Sequence, residues 1–194
     1  MKVAIVKYNA GNIQSLTFAL NRLGVDPILT DDAEALASAD KVIFPGQGEA
    51  SSAMRSLREK GLDKVLKELH QPFLGICLGM QLMCTSTEEN NTECLGIIPE
   101  KVLRFPAGEV KVPHMGWNDI ANLKSPIFTD IKDGSYLYFV HSYYVPQCDY
   151  TIASSEYPNA FSAAIQKDNY YAIQPHPEKS AEAGMKLLEN FLKL

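Results

Sequence analysis

Apolar and polar positions follow two rhythms in the first half of the chain. Lys2 to Val6 is an apolar run of strand length. Ile13, Leu16, Leu20 and Leu23 then recur at helical spacing, and Gly24 is a natural terminator. Val25 to Thr30 predicts the next strand, and Asp31 or Asp32 can cap a short Ala-rich helix behind it. Val42-Ile43-Phe44 predicts a short buried strand halted by Pro45-Gly46, followed by a helical stretch from about Ser51 to Gly61. Phe73-Leu74-Gly75-Ile76 is another strand and runs directly into Cys77. Strands alternating with helices predict parallel pairing through crossovers.

The second half changes character. From Val102 to Ile173 the runs are short, β-branched or aromatic, with turn signals at Asp133-Gly134 and Asp168-Asn169. Glu88-Glu89-Asn90-Asn91 reads as a polar loop. Ser180 to Leu194 is helical by pattern, with Met185, Leu188 and Leu192 on one face. The predicted fold class is α/β: an open, mixed, mainly parallel sheet flanked by helices, with an antiparallel extension.

Composition narrows the setting. A chain of 194 residues, 46% hydrophobic, fits a single globular domain over 1–194. The net charge is -5, with 18 Lys+Arg against 23 Asp+Glu and no basic block, which argues against nucleic acid as a partner. The opening apolar run is too short for a signal-peptide core or a membrane span. The four cysteines form no CxxC pair and no zinc-like cluster with histidine. The expectation is a reduced cytoplasmic protein with no metal and no cofactor.

Three segments can carry chemistry. Gly75-Ile76-Cys77-Leu78-Gly79 sits where a strand meets a helix beginning near Leu78, the pattern of a nucleophile elbow with Cys in place of Ser. Glycines two residues either side permit neighbouring elements to approach a tightly turned Cys77. The N–H groups of a new helix favour the thiolate, and the N–H of Leu78 is placed for an oxyanion. In Gln174-Pro175-His176-Pro177-Glu178, the His and Glu are two apart, so on an extended segment they point to the same side. Glu178 can then fix the tautomer of His176 while the ring faces the thiol. Pro45-Gly46-Gln47-Gly48-Glu49 follows a strand, and its glycines permit positive φ and close backbone approach to a ligand. It is too short for a phosphate loop, and no phosphate-loop motif occurs elsewhere.

Taken in order, these segments resemble the class I (triad) glutamine amidotransferases, and most closely the glutaminase subunits of imidazole glycerol phosphate synthase. The resemblance runs through Ala10-Gly11-Asn12, Pro45-Gly46-Gln47-Gly48, Gly75-Ile76-Cys77-Leu78-Gly79-Met80-Gln81-Leu82, Lys111-Val112-Pro113-His114-Met115-Gly116-Trp117-Asn118, Phe139-Val140-His141-Ser142-Tyr143-Tyr144 and His176-Pro177-Glu178-Lys179-Ser180. It implies that Cys77 attacks the carboxamide of glutamine, with His176 as acid and base and Glu178 orienting it. It implies an oxyanion hole of Leu78 with Gly46, Gln47 and Gly48, and a grip on the amino-acid end of glutamine by Gln81, Glu89, Ser142 and Tyr143. Two departures stand out: Lys7-Tyr8-Asn9 replaces an Asp-Tyr-Gly loop, and Pro175 replaces an aromatic residue before His176.

No second domain remains to consume the ammonia. The resemblance therefore implies a heterodimer with a (β/α)8-barrel cyclase that makes imidazole glycerol phosphate and an aminoimidazole carboxamide ribonucleotide. It places Asn12, His114, Met115, Gly116, Trp117, Asn118 and Lys179 at the partner surface. It also implies an oxyanion strand that forms fully only when the partner holds its substrate. Other synthases, a γ-glutamyl peptidase or an inactive scaffold remain alternatives at this point.

Overall fold

The computed structural model describes residues 1–9, 13–108 and 110–194. In chain order its elements are β1 (Val3–Val6), α1 (Ile13–Arg22), β2 (Ile28–Thr30), α2 (Ala33–Ala37), β3 (Lys41–Phe44), α3 (Ala50–Glu59), α4 (Leu62–Val65), β4 (Phe73–Ile76), α5 (Leu78–Met83), β5 (Ser86–Thr87) and β6 (Thr92–Glu93). There follow β7 (Lys101–Arg104), β8 (His114–Ile120), β9 (Ser135–His141), β10 (Tyr143–Tyr144), β11 (Thr151–Glu156), β12 (Ala160–Lys167), β13 (Tyr170–Ile173) and α6 (Ala181–Lys193). Among the described residues the main sheet has seven strands in the order β11-β12-β13-β4-β3-β1-β2. From β13 to β2 every neighbour is parallel, whereas β11, β12 and β13 are joined antiparallel. Smaller sheets are formed by β10-β7-β5-β6 and by the ribbon β8-β9.

Of the parallel strands, β1, β3 and β4 are buried on both faces, which is why they read as continuous apolar runs. Their side chains still alternate. Ala4, Val6, Val42, Phe44 and Phe73 pack against Leu36 of α2, Met54 and Leu57 of α3, Leu62 of α4 and Met80 and Leu82 of α5. Val3, Ile5, Ile43, Leu74 and Ile76 meet Leu16 and Leu20 of α1 and Leu187, Leu188 and Phe191 of α6. Helices on both sides of a parallel core make this an α/β sheet with an antiparallel extension, as the pattern predicts.

Boundaries shift where local chemistry decides them. Only Ile28–Thr30 of the Val25–Thr30 run pairs, as the exposed edge strand. Asp32 caps α2 through a bond from the Ala35 N–H at 2.7 Å. The helix expected from Ser51 begins at Ala50, because Glu49 caps it by accepting from Ser51 N and Ser52 N. On α6 the buried stripe is Leu187, Leu188, Phe191 and Leu192, with Met185 at its margin. The turn signals hold: Gly134 has φ 82 before β9, and Asp168 has φ 53 between β12 and β13.

Candidate active site

Four parallel strands deliver their carboxyl ends to one edge of the sheet, the place where open α/β sheets bind ligands. β4 delivers Cys77, β13 leads to Gln174 and His176, β3 leads to Pro45–Gly48, and β1 leads to Tyr8. Because Ile173 is in register with Ile76, residues distant in sequence emerge side by side.

Cys77 occupies the corner between β4 and α5 with φ 53 and ψ -109. A non-glycine residue in such a region costs about 1–3 kcal/mol and persists only where the surroundings impose it. Here they do. The Cys77 N–H donates to Ile173 O at 2.8 Å, and Cys77 O accepts from the Gln81 N–H at 3.2 Å. The flanking glycines leave room for the corner: a Cβ at Gly75 would stand 2.5 Å from Met83 Sδ, and one at Gly79 would stand 2.0 Å from Phe44 O. The other cysteines are free thiols, and burial pushes Cys84 well up and Cys94 to about 12. Of the four, Cys77 is the one that lines the large cleft.

His176 Nδ1 lies 2.9 Å from Glu178 Oε1, and both side chains are buried. The pairing is made differently from the expected extended segment. His176 itself is extended, but Glu178 sits in a 3-10 turn over Pro177–Lys179. Pro175 does not unseat the histidine. The His176 N–H donates to Tyr138 O at 2.9 Å, and Ser180 Oγ clamps the turn by donating to His176 O while accepting from the Tyr138 N–H. Nε2 of His176 makes no ordinary hydrogen bond, and its ring lies within the influence of the Cys77 sulfur. Burial is the largest single influence and disfavours the imidazolium. The Cys77 sulfur and then the Glu178 carboxylate together outweigh it, and the His176 pKa is pushed up to about 10. The arrangement suits an imidazolium beside a thiolate, the activated state of a cysteine nucleophile.

The cleft in front of this pair, roughly 430 Å³, is of a size to take an amino acid. Gln47, Gly48, Leu78, Gln81, Glu89, Ser142 and Tyr143 line it, as does Lys179. Gly46 lies behind: it is buried, and a Cβ there would stand 2.6 Å from Leu78 Cβ. Gly48, at φ 121, holds the backbone turn that only glycine adopts readily. Glu89 Oε2 accepts from the Ala50 N–H at 2.8 Å at the start of α3, and burial raises its pKa. Gln81 is more enclosed than a substrate ligand needs to be: its Nε2 donates to Tyr143 O at 2.9 Å and to Gln174 Oε1 at 3.0 Å.

Sequence reading missed Pro113, Tyr138, Val140 and His141 in the cleft wall. His141 belongs to a buried pair. Its Nδ1 is 2.8 Å from Tyr143 O, and its Nε2 is 3.0 Å from His114 Nδ1. The carbonyl can only accept, so His141 donates there, and His114 must donate to His141 Nε2. Burial lowers His114 to about 4 and, with smaller influences, His141 to about 3, so both rings stay neutral. The alternation of β8 is the only sequence signal pointing to the pair, and the register His114↔His141 completes it in the structure.

The same register sorts the expected partner surface. Met115 and Trp117 point outward and are 61% and 51% exposed, and Lys179 is exposed beside them. Gly116 and Asn118 are partly covered. His114 departs from the expectation: it faces inward, stacked on Phe139 and Tyr157, and gives this surface no side chain. Asn12 lies outside the described residues. No helix among the described residues is long and apolar enough to cross a membrane.

Comparison with known proteins agrees with this geometry. The family model described as glutamine amidotransferase class-I matches residues 4–194. The imidazole glycerol phosphate synthase subunit HisH of Bacteroides fragilis strain YCH46 is 57% identical over 196 residues, spanning 100% of both chains. The HisH subunit of Vibrio parahaemolyticus is 45% identical over 200 residues, spanning 100% of this chain and 98% of its own. In fold, the chain is similar to the solved PurLQS of Thermotoga maritima, with a TM-score of 0.74 at 18% identity over 99% of this chain and 97% of that one. The chain belongs to the class-I glutamine amidotransferase family, among the HisH subunits of imidazole glycerol phosphate synthase.

Proposed function

We propose that the chain is the glutaminase subunit of imidazole glycerol phosphate synthase, hydrolysing glutamine to glutamate and ammonia and passing the ammonia to a cyclase. The observation that carries this reading is that Cys77 and His176 line one cleft while Glu178 pairs with the far side of the His176 ring, the sulfur and the carboxylate together favouring the imidazolium.

The Cys77 thiolate adds to the side-chain carbonyl carbon of glutamine. The resulting oxyanion is met by the N–H of Leu78 and by a backbone N–H of the Gly46–Gly48 strand. His176 gives its proton to the departing nitrogen, ammonia leaves, and a thioester remains. Neutral His176 then draws a proton from water, whose oxygen attacks the thioester and releases glutamate and the thiolate. Glu178 holds Nδ1 so that Nε2 faces the reacting atoms. Glu89 pairs with the α-ammonium of the substrate. Gln81, Ser142 and Tyr143 complete the grip, with Gln81 contributing through the oxygen left over from its internal bonds. No metal or cofactor takes part in these steps.

Ammonia released into water is protonated and lost as a nucleophile, so the consumer docks over the cleft. We place a (β/α)8-barrel cyclase there, in a cytoplasmic heterodimer, with 1–194 as a single amidotransferase domain. The outer face of the β8–β9 ribbon supports this. Met115, Trp117 and Tyr136 are exposed on it, while Tyr138 and Val140 of the same face line the cleft, so the apolar surface and the active site are continuous. Glutamine hydrolysis measured with and without the barrel partner and its ribonucleotide tests the reading. Slow turnover alone and strong stimulation by the liganded partner are expected. Fast turnover by the chain alone, or hydrolysis of γ-glutamyl peptides with no partner, would contradict it.

A further inference from the structure

We infer that Gln174 is a positioning residue for the Cys77 nucleophile, holding the sulfur as an acceptor in an orientation dictated by the carbonyl of Tyr143. The inference rests on Cys77 being the nucleophile.

Gln174 is fully buried, and its Nε2 lies 3.6 Å from Cys77 Sγ. The parallel register of β13 and β4 puts the two residues side by side where the strands end. A carboxamide can be turned either way, so its orientation is decided by what its other end meets. Gln81 supplies the answer. Its Nε2 meets both Tyr143 O and Gln174 Oε1. The backbone carbonyl can only accept, so Gln81 must present nitrogen to it. The second hydrogen of that nitrogen then requires the oxygen of Gln174. What Gln174 has left for the sulfur is an N–H donor. The same carbonyl accepts from His141, so it anchors both sides of the network.

A donor aimed at sulfur stabilises thiolate more than thiol. The sulfur's other contact is Val140 O at 3.9 Å, which only the thiol form could use, as donor. Gln174 therefore opposes the state in which Cys77 is a protonated donor, and it limits rotation of a side chain that the strained backbone already constrains. It acts from the strand side, and His176 from the turn before α6. His176, backed by Glu178, and Tyr8 after β1 act on the sulfur directly, and Glu89, Tyr138, His141, Tyr143 and Lys179 line the same cleft. A residue that only filled space could be replaced by Met at little cost to the sulfur's chemistry.

The test uses the full chain with its barrel partner. The rate of Cys77 alkylation by iodoacetamide is followed against pH by peptide mass spectrometry, and kcat and KM for glutamine are measured for Gln174→Met and Gln174→Glu. Gln174→Met is expected to raise the pH of half-maximal alkylation by about one unit and to lower kcat about tenfold, with KM changed less than about twofold. Gln174→Glu, which keeps every heavy-atom position but turns an oxygen to the sulfur, is expected to lose more and supplies the reading if the Met variant does not fold. An unchanged alkylation profile and kcat in either folded variant overturns the inference. Cys77→Ala is assayed alongside. If glutamine hydrolysis survives it, the nucleophile reading fails. An inert Cys77→Ala beside an unaltered Gln174→Met overturns only the role of Gln174.

Discussion

Gly79, in the first turn of α5, lies directly against the carbonyl of Phe44, so that a Cβ on residue 79 would stand 2.0 Å from the Phe44 oxygen. That contact seats the start of α5 on the end of β3 and fixes where Cys77 turns. Backbone cannot retreat as a side-chain tip can. Gly79→Ala is therefore expected to cost at least about 3 kcal/mol, the upper end for overpacking, and to abolish glutamine hydrolysis even where the fold survives. Urea unfolding together with the activity of the folded fraction checks both.

Glu178→Gln removes the carboxylate beside His176 Nδ1 but leaves the burial. The expected result is a His176 midpoint well below about 10 and a loss of kcat on the order of a hundredfold, with KM little changed. NMR titration of the imidazole and steady-state kinetics measure the two effects. An unaltered midpoint would show that the sulfur alone holds the proton.

Three buried histidines also set a pH dependence of stability. His114 and His141 are held neutral, at about 4 and about 3, against a usual value near 6.5. Below that usual value the unfolded chain takes up protons that the folded chain refuses. Stability therefore falls as pH drops from about 6.5 toward 4, by up to about 1.4 kcal/mol per pH unit for each ring. His176 runs the other way. Raised to about 10, it adds stability that is complete below about 6.5 and is lost as pH rises toward 10. Urea midpoints from pH 4 to 10 should show both slopes. His114→Phe should flatten the acid one.

The catalytic corner is legible in the sequence because its constraints are local. Gly75 and Gly79 flank Cys77 at the spacing a strand-to-helix turn needs, and the buried strands announce themselves as apolar runs. The pairing of Cys77 with His176 depends on β13 lying beside β4, and strand order is set by long-range packing that no short segment encodes. Gln81 reads in sequence as a substrate ligand, and only the closeness of Tyr143 and Gln174 reveals that both its N–H groups are occupied internally. His114 reads as a surface residue from its neighbours Met115 and Trp117. Strand alternation with a partner at His141 turns it inward, and neither residue shows that alone.

Trp117 packs edge-on against Tyr138 with half of its surface open. Trp117→Ala is expected to weaken binding to the barrel partner by about 2 kcal/mol or more, as for an interface anchor. It should shift the stability of the isolated chain by less than about 1 kcal/mol. Calorimetric titration with the partner and thermal unfolding of the chain alone separate the two. A destabilised chain with unchanged affinity would return Trp117 to a packing role.

The central claim is that the sulfur of Cys77 attacks the side-chain carbonyl of glutamine. Its most direct measurement is covalent labelling by a glutamine analogue bearing an electrophile at the carboxamide position, read by peptide mass spectrometry in the presence of the liganded barrel partner. One adduct is predicted, on Cys77, slowed by competing glutamine and absent in Cys77→Ala. An adduct confined to another residue, or none at all under these conditions, would contradict the account.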